Sequence, residues 1–312
     1  MTFDDINLLA LKRIPFLFIS DFKAQNIKII KLTDLKNEDI QYSITDIKSV
    51  KQFKNTCIKI PIPFSNYKKK FDKVIEKIKS GDTYLLNLTQ TTKLKTNYTL
   101  KEIFTQANAK YKLRYKDEFV CFSPECFIKI QNNTIHTYPM KGTIDSSIEN
   151  AKEKILNDKK ELAEHVMIVD LLRNDLSIVS KKVKVEKFRY IQEIEAGDKK
   201  LLQVSSHISG ELNSLWRENL GSILKNLLPA GSISGTPKKS TLEIIQDLEE
   251  YDREYFSGIF GIFDGNSFDS GVMIRFIQNK DNELIYKSGG GITLDSNPED
   301  EYNELLDKVY IP

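Results

Sequence analysis

The chain has 312 residues, with 46 lysine and arginine side chains against 44 aspartate and glutamate, a formal charge of +2. That length can bury a sizeable core in one large domain or two small ones, and the balanced charge gives no reason to expect nucleic acid or an acidic membrane as a partner. Cys57, Cys121 and Cys126 are odd in number and lack CxxC or metal-ligand spacing. Reduced thiols in a cytoplasmic protein are the expectation. The start Met1-Thr2-Phe3-Asp4-Asp5 lacks the basic and apolar regions of a secretory signal, and no stretch reaches the ~20 apolar residues that span a bilayer.

Residues 1 to 65 alternate short apolar runs, such as Phe16 to Ile19 and Ile27 to Ile30, with polar stretches. They read as a short N-terminal segment of strands and loops ending at Pro61 and Pro63. The larger part, 66 to 312, begins with a predicted helix over Tyr67 to Ser80. It carries Phe71, Val74, Ile75 and Ile78 on one face and stops at Gly81. Thr83 to Thr92 alternates as a strand. Thr99 and Glu102 form a capping box that opens a helix with Leu100, Ile103, Phe104 and Ala107 inward. Short strands follow through Phe119 to Ile130.

Asp158 and Glu161 make a second capping pattern before a long helix to Leu172, which Arg173-Asn174-Asp175 closes. Val183 to Phe188 and Leu201 to Ile208 read as strands. Ser240 and Glu243 open a helix carrying Leu242, Ile244, Ile245 and Leu248. Tyr255 to Asp264 and Gly271 to Gln278 read as paired strands joined by Asp264-Gly265-Asn266, and Leu284 to Tyr286 continues the sheet. Asn297 as N-cap with Pro298 at the first helical position starts the last helix. Strand runs broken by single helices predict an α+β fold with largely antiparallel sheets.

Four features carry chemistry. Lys141 lies between Pro139-Met140 and Gly142; confinement there would strip solvent from its amine, lower its pKa and make it a nucleophile. A solvated lysine in a strand-end turn is the plainer reading of that segment. Glu161 and Glu164 share a helix face, and Glu301 and Glu304 repeat the spacing on the last helix. Two such faces meeting would offer Mg²⁺ an oxygen-rich site, whereas apart they are solvated surfaces. The glycine-rich runs Gly231-Ser-Ile-Ser-Gly235 and Gly289-Gly290-Gly291 fit neither dinucleotide nor P-loop patterns. They suit an anion such as a phosphate or carboxylate, or else tight turns. Arg275, in the apolar run Met273 to Ile277, needs an anion, either a substrate carboxylate or a structural Asp or Glu.

Taken in order, several segments resemble the chorismate-utilising enzymes from about Tyr67 to the C-terminus. They are Gly81-Asp-Thr-Tyr-Leu-Leu-Asn87, Ser123-Pro124-Glu125, Pro139-Met-Lys141-Gly-Thr143, Glu161-Leu-Ala-Glu164-His165, Arg173-Asn174-Asp175, Gly231 to Lys238, Ile274-Arg275, Gly290 to Pro298 and Glu301-Tyr-Asn-Glu304. The resemblance implies two layers of antiparallel sheet with helices outside, chorismate as substrate and Mg²⁺ held by Glu161, Glu164, Glu301 and Glu304. Lys141 is similar to the lysine of the aminodeoxychorismate synthase component I branch, where anthranilate and isochorismate synthases typically have alanine. The position of the water-activating lysine of isochorismate-forming members is Leu85, and that of a family histidine is Gln203. The tyrosine before Ser257-Gly258 is replaced by Phe256, and the threonine after Arg275 by Phe276.

What the resemblance implies is formation of 4-amino-4-deoxychorismate for 4-aminobenzoate and folate synthesis. Lys141 acts as nucleophile and Glu125 as acid and base. Gly142, Thr143, Ser232, Gly235, Arg275, Gly289, Gly290 and Gly291 hold substrate. Ammonia comes from solution or from a separate glutamine amidotransferase subunit, and a separate aminodeoxychorismate lyase acts downstream. Anthranilate or isochorismate/salicylate synthesis, and a non-catalytic chorismate-binding subunit, are the alternatives.

Overall fold

A computed structural model describes residues 1–45, 57–196 and 199–311. Helix α1 (Phe3–Leu11) precedes strands β1 (Phe16–Ser20), β2 (Ile27–Lys31), β3 (Ile40–Ile44) and β4 (Ile58–Pro61). Then come α2 (Phe64–Lys79), β5 (Leu85–Lys95), α3 (Leu100–Gln106), β6 (Tyr111–Tyr115), β7 (Phe119–Ser123), β8 (Cys126–Gln131), β9 (Thr134–Thr137) and β10 (Met140–Asp145). The second half holds α4 (Ala151–Asn157), α5 (Lys159–Val179), β11 (Lys181–Ala196), β12 (Lys199–Glu211), α6 (Leu220–Leu227), β13 (Gly235–Thr236) and α7 (Lys238–Leu248). It ends with β14 (Ile259–Phe263), β15 (Phe268–Val272), β16 (Phe276–Lys280), β17 (Glu283–Ile292) and α8 (Pro298–Asp307).

The described strands form two antiparallel sheets. The first runs β10-β12-β9-β8-β15-β14-β1-β2, with β11 also paired to β12; the second runs β13-β5-β17-β16-β7-β6-β3, with β4 also paired to β5. Strand β1 shows how the layers meet. Every residue of Phe16–Ser20 is buried, so it reads as a continuous apolar run rather than an alternating one. Leu17 and Ile19 join Leu113, Phe119 and Phe276 of the second sheet in one core. Phe16 and Phe18 face the other way, into a core built with α1, α2, α5 and α6. The second sheet's far face, with Val120, Phe122, Ile277 and Tyr286, is covered by α3 and by Val309 and Ile311. The structure is thus an α+β fold of two antiparallel sheets with helices packed outside. Among the described residues no helix is long and apolar enough to cross a membrane.

The caps at Thr99, Asp158 and Asn297 operate as expected, whereas Ser240 does not cap: α7 starts at Lys238 after Pro237, and the Ser240 hydroxyl donates to the Asp82 carbonyl at 2.7 Å. The Thr99 N–H donates to Glu102 Oε2 at 2.8 Å, and Asn297 Oδ1 accepts from the N–H groups of Glu299 and Asp300 at 2.9 and 3.2 Å. Because α8 carries two site glutamates, Asn297→Ala is expected to cost about 1 kcal/mol of stability, measurable as a lowered urea midpoint with an unchanged slope.

Three further expectations fail. Residues 3–11 form a helix, started by Asp5 Oδ2 accepting the Thr2 N–H at 2.7 Å. The long helix continues past Arg173-Asn174-Asp175 to Val179, because Asp175 turns inward to Lys238 at 3.2 Å and Arg173 pairs back along the helix with Asp170. The third concerns Arg275, which is not inside a strand. Strand β15 ends at Val272 in one sheet and β16 starts at Phe276 in the other. Arg275 sits in the crossover at φ +50°.

Candidate active site

Lys141 enters from β10. The register of β10 on β12 shifts between Met140 and Thr143, and such a bulge re-aims the side chain it carries. Gly142 has φ +84°, and a methyl group there would stand 3.0 Å from Glu161 Oε2. Glycine lets this strand lie against α5. Lys141 Nζ is ion-paired with Glu164 Oε2. Burial works against its charge, but Glu164, with Glu304 and Glu161 behind it, more than offsets that and the pKa is raised. The expectation of a lowered pKa is therefore corrected: confinement brought a carboxylate with it, and the amine is held as ammonium.

The four glutamates converge from two helices, Glu161 and Glu164 on α5 and Glu301 and Glu304 on α8. Lys160 Nζ lies 4.0 Å from Glu164 Oε1 and 3.6 Å from Glu301 Oε1, bridging the helices. Burial pushes the Glu161 and Glu301 carboxyls above the ordinary range, and neighbouring glutamates add to it. Glu161 Oε2 is buried without a hydrogen-bond partner. Among the described residues no group of three or more His, Cys, Asp or Glu side chains is arranged to hold a metal ion as it stands. The ammonium groups of Lys141, Lys160 and Lys308 take up part of the negative charge instead. The orphaned oxygen and the raised carboxyls mark that charge as undercompensated, which suits a small hard cation.

The facing wall is β17. A Cβ on Gly290 would meet Glu301 Oε2 at 3.2 Å and Lys308 Nζ at 3.7 Å, and one on Gly291 would meet Leu85 Cδ1 at 3.1 Å and Lys141 Nζ at 3.7 Å. Leu85 and Lys141 thus flank the same point. Gly289 faces away from it, packed on Leu88 O and Thr89, and gives its carbonyl to Lys308 Nζ at 2.9 Å. Gly235 is also a packing glycine. At φ +135°, a side chain would come within 2.0 Å of Leu85 O, since β13 pairs with β5 there. Neither forms an anion nest.

Glu125 follows β7 in the turn before β8. Ser232 Oγ donates to Glu125 Oε1 at 2.5 Å, and burial pushes the carboxyl up against the pull of Ser232, Arg275 and Lys308. The Arg275 guanidinium lies 5.4 Å from the Tyr310 ring centre, and its Nε is buried without a hydrogen-bond partner. That leaves a donor for an anion. Thr143 is exposed and pairs across from Gln203. Phe256 and Phe276 belong to the core between the sheets.

Lys308 was not singled out by sequence. It pairs with Glu304 at 2.6 Å, and its pKa is lowered by burial despite that partner. A lysine four residues after a glutamate reads as an ordinary surface pair; its position one turn after Glu304 was the available signal. Lys160 was missed for the same reason. Ser206 and His207 point to opposite faces, as strand alternation requires. Ser206 Oγ is 2.7 Å from His165 Nε2 on α5, whereas His207 Nε2 is 3.0 Å from His136 Nδ1.

Burial holds both His136 and His207 below the ordinary histidine value of 6.5, with His207 adding to the effect on His136 and Glu186 opposing it in both. Their folded pKa values are depressed, so their contribution is full above pH 6.5 and is lost as pH falls through the folded values. The double replacement His136→Gln/His207→Gln is expected to flatten the fall of stability on the acid side of pH 6.5, read from denaturant melts across that range.

A family model described as chorismate binding enzyme matches residues 20–311. An uncharacterized PabA-like protein of Haemophilus influenzae is 48% identical over 305 residues, covering 96% of this chain and 93% of that one. Aminodeoxychorismate synthase component 1 of Escherichia coli is 33% identical over 261 residues, 78% of this chain and 56% of its own length. Anthranilate synthase component 1 of Acetivibrio thermocellus is also 33% identical, over 248 residues, 74% of this chain and 49% of its own. MenF, the menaquinone-specific isochorismate synthase from Escherichia coli, shares the fold at a TM-score of 0.73 and 14% identity, over 97% of this chain and 79% of that one. With a family match across nearly the whole chain, a shared two-sheet fold and a cluster of converging glutamates and lysines, this protein belongs to the chorismate-binding enzymes.

Proposed function

We propose that the chain is an aminodeoxychorismate synthase component I, converting chorismate and ammonia to 4-amino-4-deoxychorismate and water. The observation that carries this reading is the pair flanking Gly291: Lys141 Nζ on one side and Leu85 on the other. Lys141 brings an amine to this point that would serve as nucleophile once it gives up its proton, and the leucine opposite cannot activate water. Overall identity does not decide between aminating at C4 and making anthranilate. Gln203 in place of the family histidine weighs against the second.

Neutral Lys141, its proton lost to solvent, attacks C2 of the ring while the C4 hydroxyl takes a proton from Glu125 and leaves as water. Ammonia then forms the bond to C4 and expels the neutral lysine from C2, and the ammonium left on C4 returns its extra proton to Glu125. The half-buried carboxyl of Glu125, pushed above its ordinary range, is suited to carry the departing proton. Arg275, with its unpartnered Nε, and the backbone of Gly290 and Gly291 would receive the pyruvyl carboxylate, with Gly142, Thr143 and Ser232 around the ring.

Mg²⁺ would be held by Glu164 and Glu304, with Glu161 and Glu301 beside them. Bound there, it would supply Lewis-acid stabilisation to the ring carboxylate and draw charge from Glu164. The ammonia source would be a glutamine amidotransferase subunit or free ammonium, and a separate lyase would complete 4-aminobenzoate.

Incubating the purified chain with chorismate, Mg²⁺ and an ammonium salt, then adding an aminodeoxychorismate lyase, is expected to yield 4-aminobenzoate. Anthranilate, isochorismate or salicylate as the product would replace this reading with another of the family, and unchanged chorismate would favour a non-catalytic binding subunit.

A further inference from the structure

Lys160 stands in the first turn of α5 with its side chain 45% exposed, yet both of its partners are buried: the Glu164 side chain is 7% exposed and that of Glu301 5%. At 4.0 and 3.6 Å it does not make a tight bond to either. It lies between them, reaching in from solvent on a flexible stem. Glu164 has Lys141 as a second cation, and Glu301 Oε1 accepts from Ser296 Oγ at 2.7 Å. For Glu301, however, Lys160 is the cation that bridges to α5.

The charges of the cluster explain why such a group is needed. Four glutamates face three lysines, Lys141, Lys160 and Lys308. Without Lys160, two helices would bring together four carboxylates against two ammonium groups, a costly arrangement for Glu164 and Glu301, which are buried. A dication arriving at the same glutamates would reverse the problem, because Lys160 would then stand as a like charge beside it.

We propose that Lys160 is an internal counter-cation that bridges Glu164 and Glu301 while the site lacks a metal and swings out to solvent when a divalent cation binds. It holds the two helices together in the free protein, and it lowers the affinity for the ion that displaces it. The inference rests on the reading of the four glutamates as a divalent-cation site.

Removal of one positive charge within a few ångströms of the ion is expected to tighten Mg²⁺ binding roughly tenfold in Lys160→Met, measured by calorimetry in the absence of substrate. Lys160→Arg, which keeps the charge, should stay near wild type. In EDTA Lys160→Met should melt below wild type, and saturating Mg²⁺ should raise its Tm more. On the wild-type chain, Mg²⁺ should increase acetylation of the Lys160 amine, followed by peptide mass, a readout that needs no variant. Unchanged or weaker Mg²⁺ binding in Lys160→Met, or Lys160 acetylation that Mg²⁺ leaves unchanged or suppresses, overturns the proposal. Loss of binding in Glu301→Gln with wild-type affinity in Lys160→Met would reject Lys160 alone. Absence of Mg²⁺ binding in wild type, with and without chorismate, would reject the metal reading and this one together.

Discussion

Replacing Lys141 with alanine is expected to lower ammonia-dependent amination by at least about a thousandfold, because a nucleophile that acts in concert with other groups cannot be partly replaced by them. The substitution should leave the fold in place. The side chain is 26% exposed and sits on a bulge at the edge of its sheet, and Glu164 keeps Lys160 as a neighbouring cation. Lys141→Arg should be as inactive as the alanine variant, since a guanidinium keeps its proton and cannot attack. Wild-type enzyme quenched during turnover should carry an adduct on the peptide containing Lys141, and the alanine variant none. Turnover by Lys141→Ala within tenfold of wild type, with a melting profile like wild type, would remove the nucleophile assignment.

The raised pKa of Lys141 sharpens that test. Sequence suggested a lysine that loses solvent and therefore its proton, but burial is only one of the forces on a buried amine. A single line of residues does not reveal that α5 delivers Glu164 to this amine, because the contact joins segments more than twenty residues apart. The same limit applies to Lys160 and Lys308. Each is one turn from a glutamate on an amphipathic helix, and such a spacing is ordinary on a surface. Their approach to a second helix or to the Gly289 carbonyl is a product of tertiary packing.

Local signals fared better. Asn297-Pro298 and Thr99 with Glu102 satisfy their own helix N–H groups, so the information lies within a few residues. The apolar run around Arg275 failed for the opposite reason. Apolar residues on both sides of Arg275 look like one strand, but they serve two sheets, and the residue joining them takes a positive φ that no apolar pattern encodes. Gly235 and Gly289 show a related ambiguity. A glycine selected for close backbone packing and one selected to admit an anion look alike until the atoms opposite are known.

Replacing Glu164 or Glu304 with glutamine is expected to weaken Mg²⁺ binding by at least about a hundredfold and to lower activity even at saturating metal, whereas the same change at Glu161 or Glu301 should cost about tenfold in affinity. The argument starts from charge. Mg²⁺ retains several waters and needs few carboxylates when a substrate carboxylate supplies another ligand. Glu164 and Glu304 are the two glutamates with close lysine partners, Lys141 and Lys308. Those are the carboxylates already drawn to a cation, held in the charged form that a metal ion needs. Glu301 is tied to Ser296 Oγ, and Glu161 stands beside Gly142 with one oxygen unpartnered, positions suited to orienting metal-bound water. Calorimetric Mg²⁺ titrations of the four variants, beside activity titrations from excess EDTA upward, separate binding from chemistry. Full activity in excess EDTA, or an unchanged Mg²⁺ titration in Glu164→Gln or Glu304→Gln, would mean that these glutamates serve the lysines and not a metal.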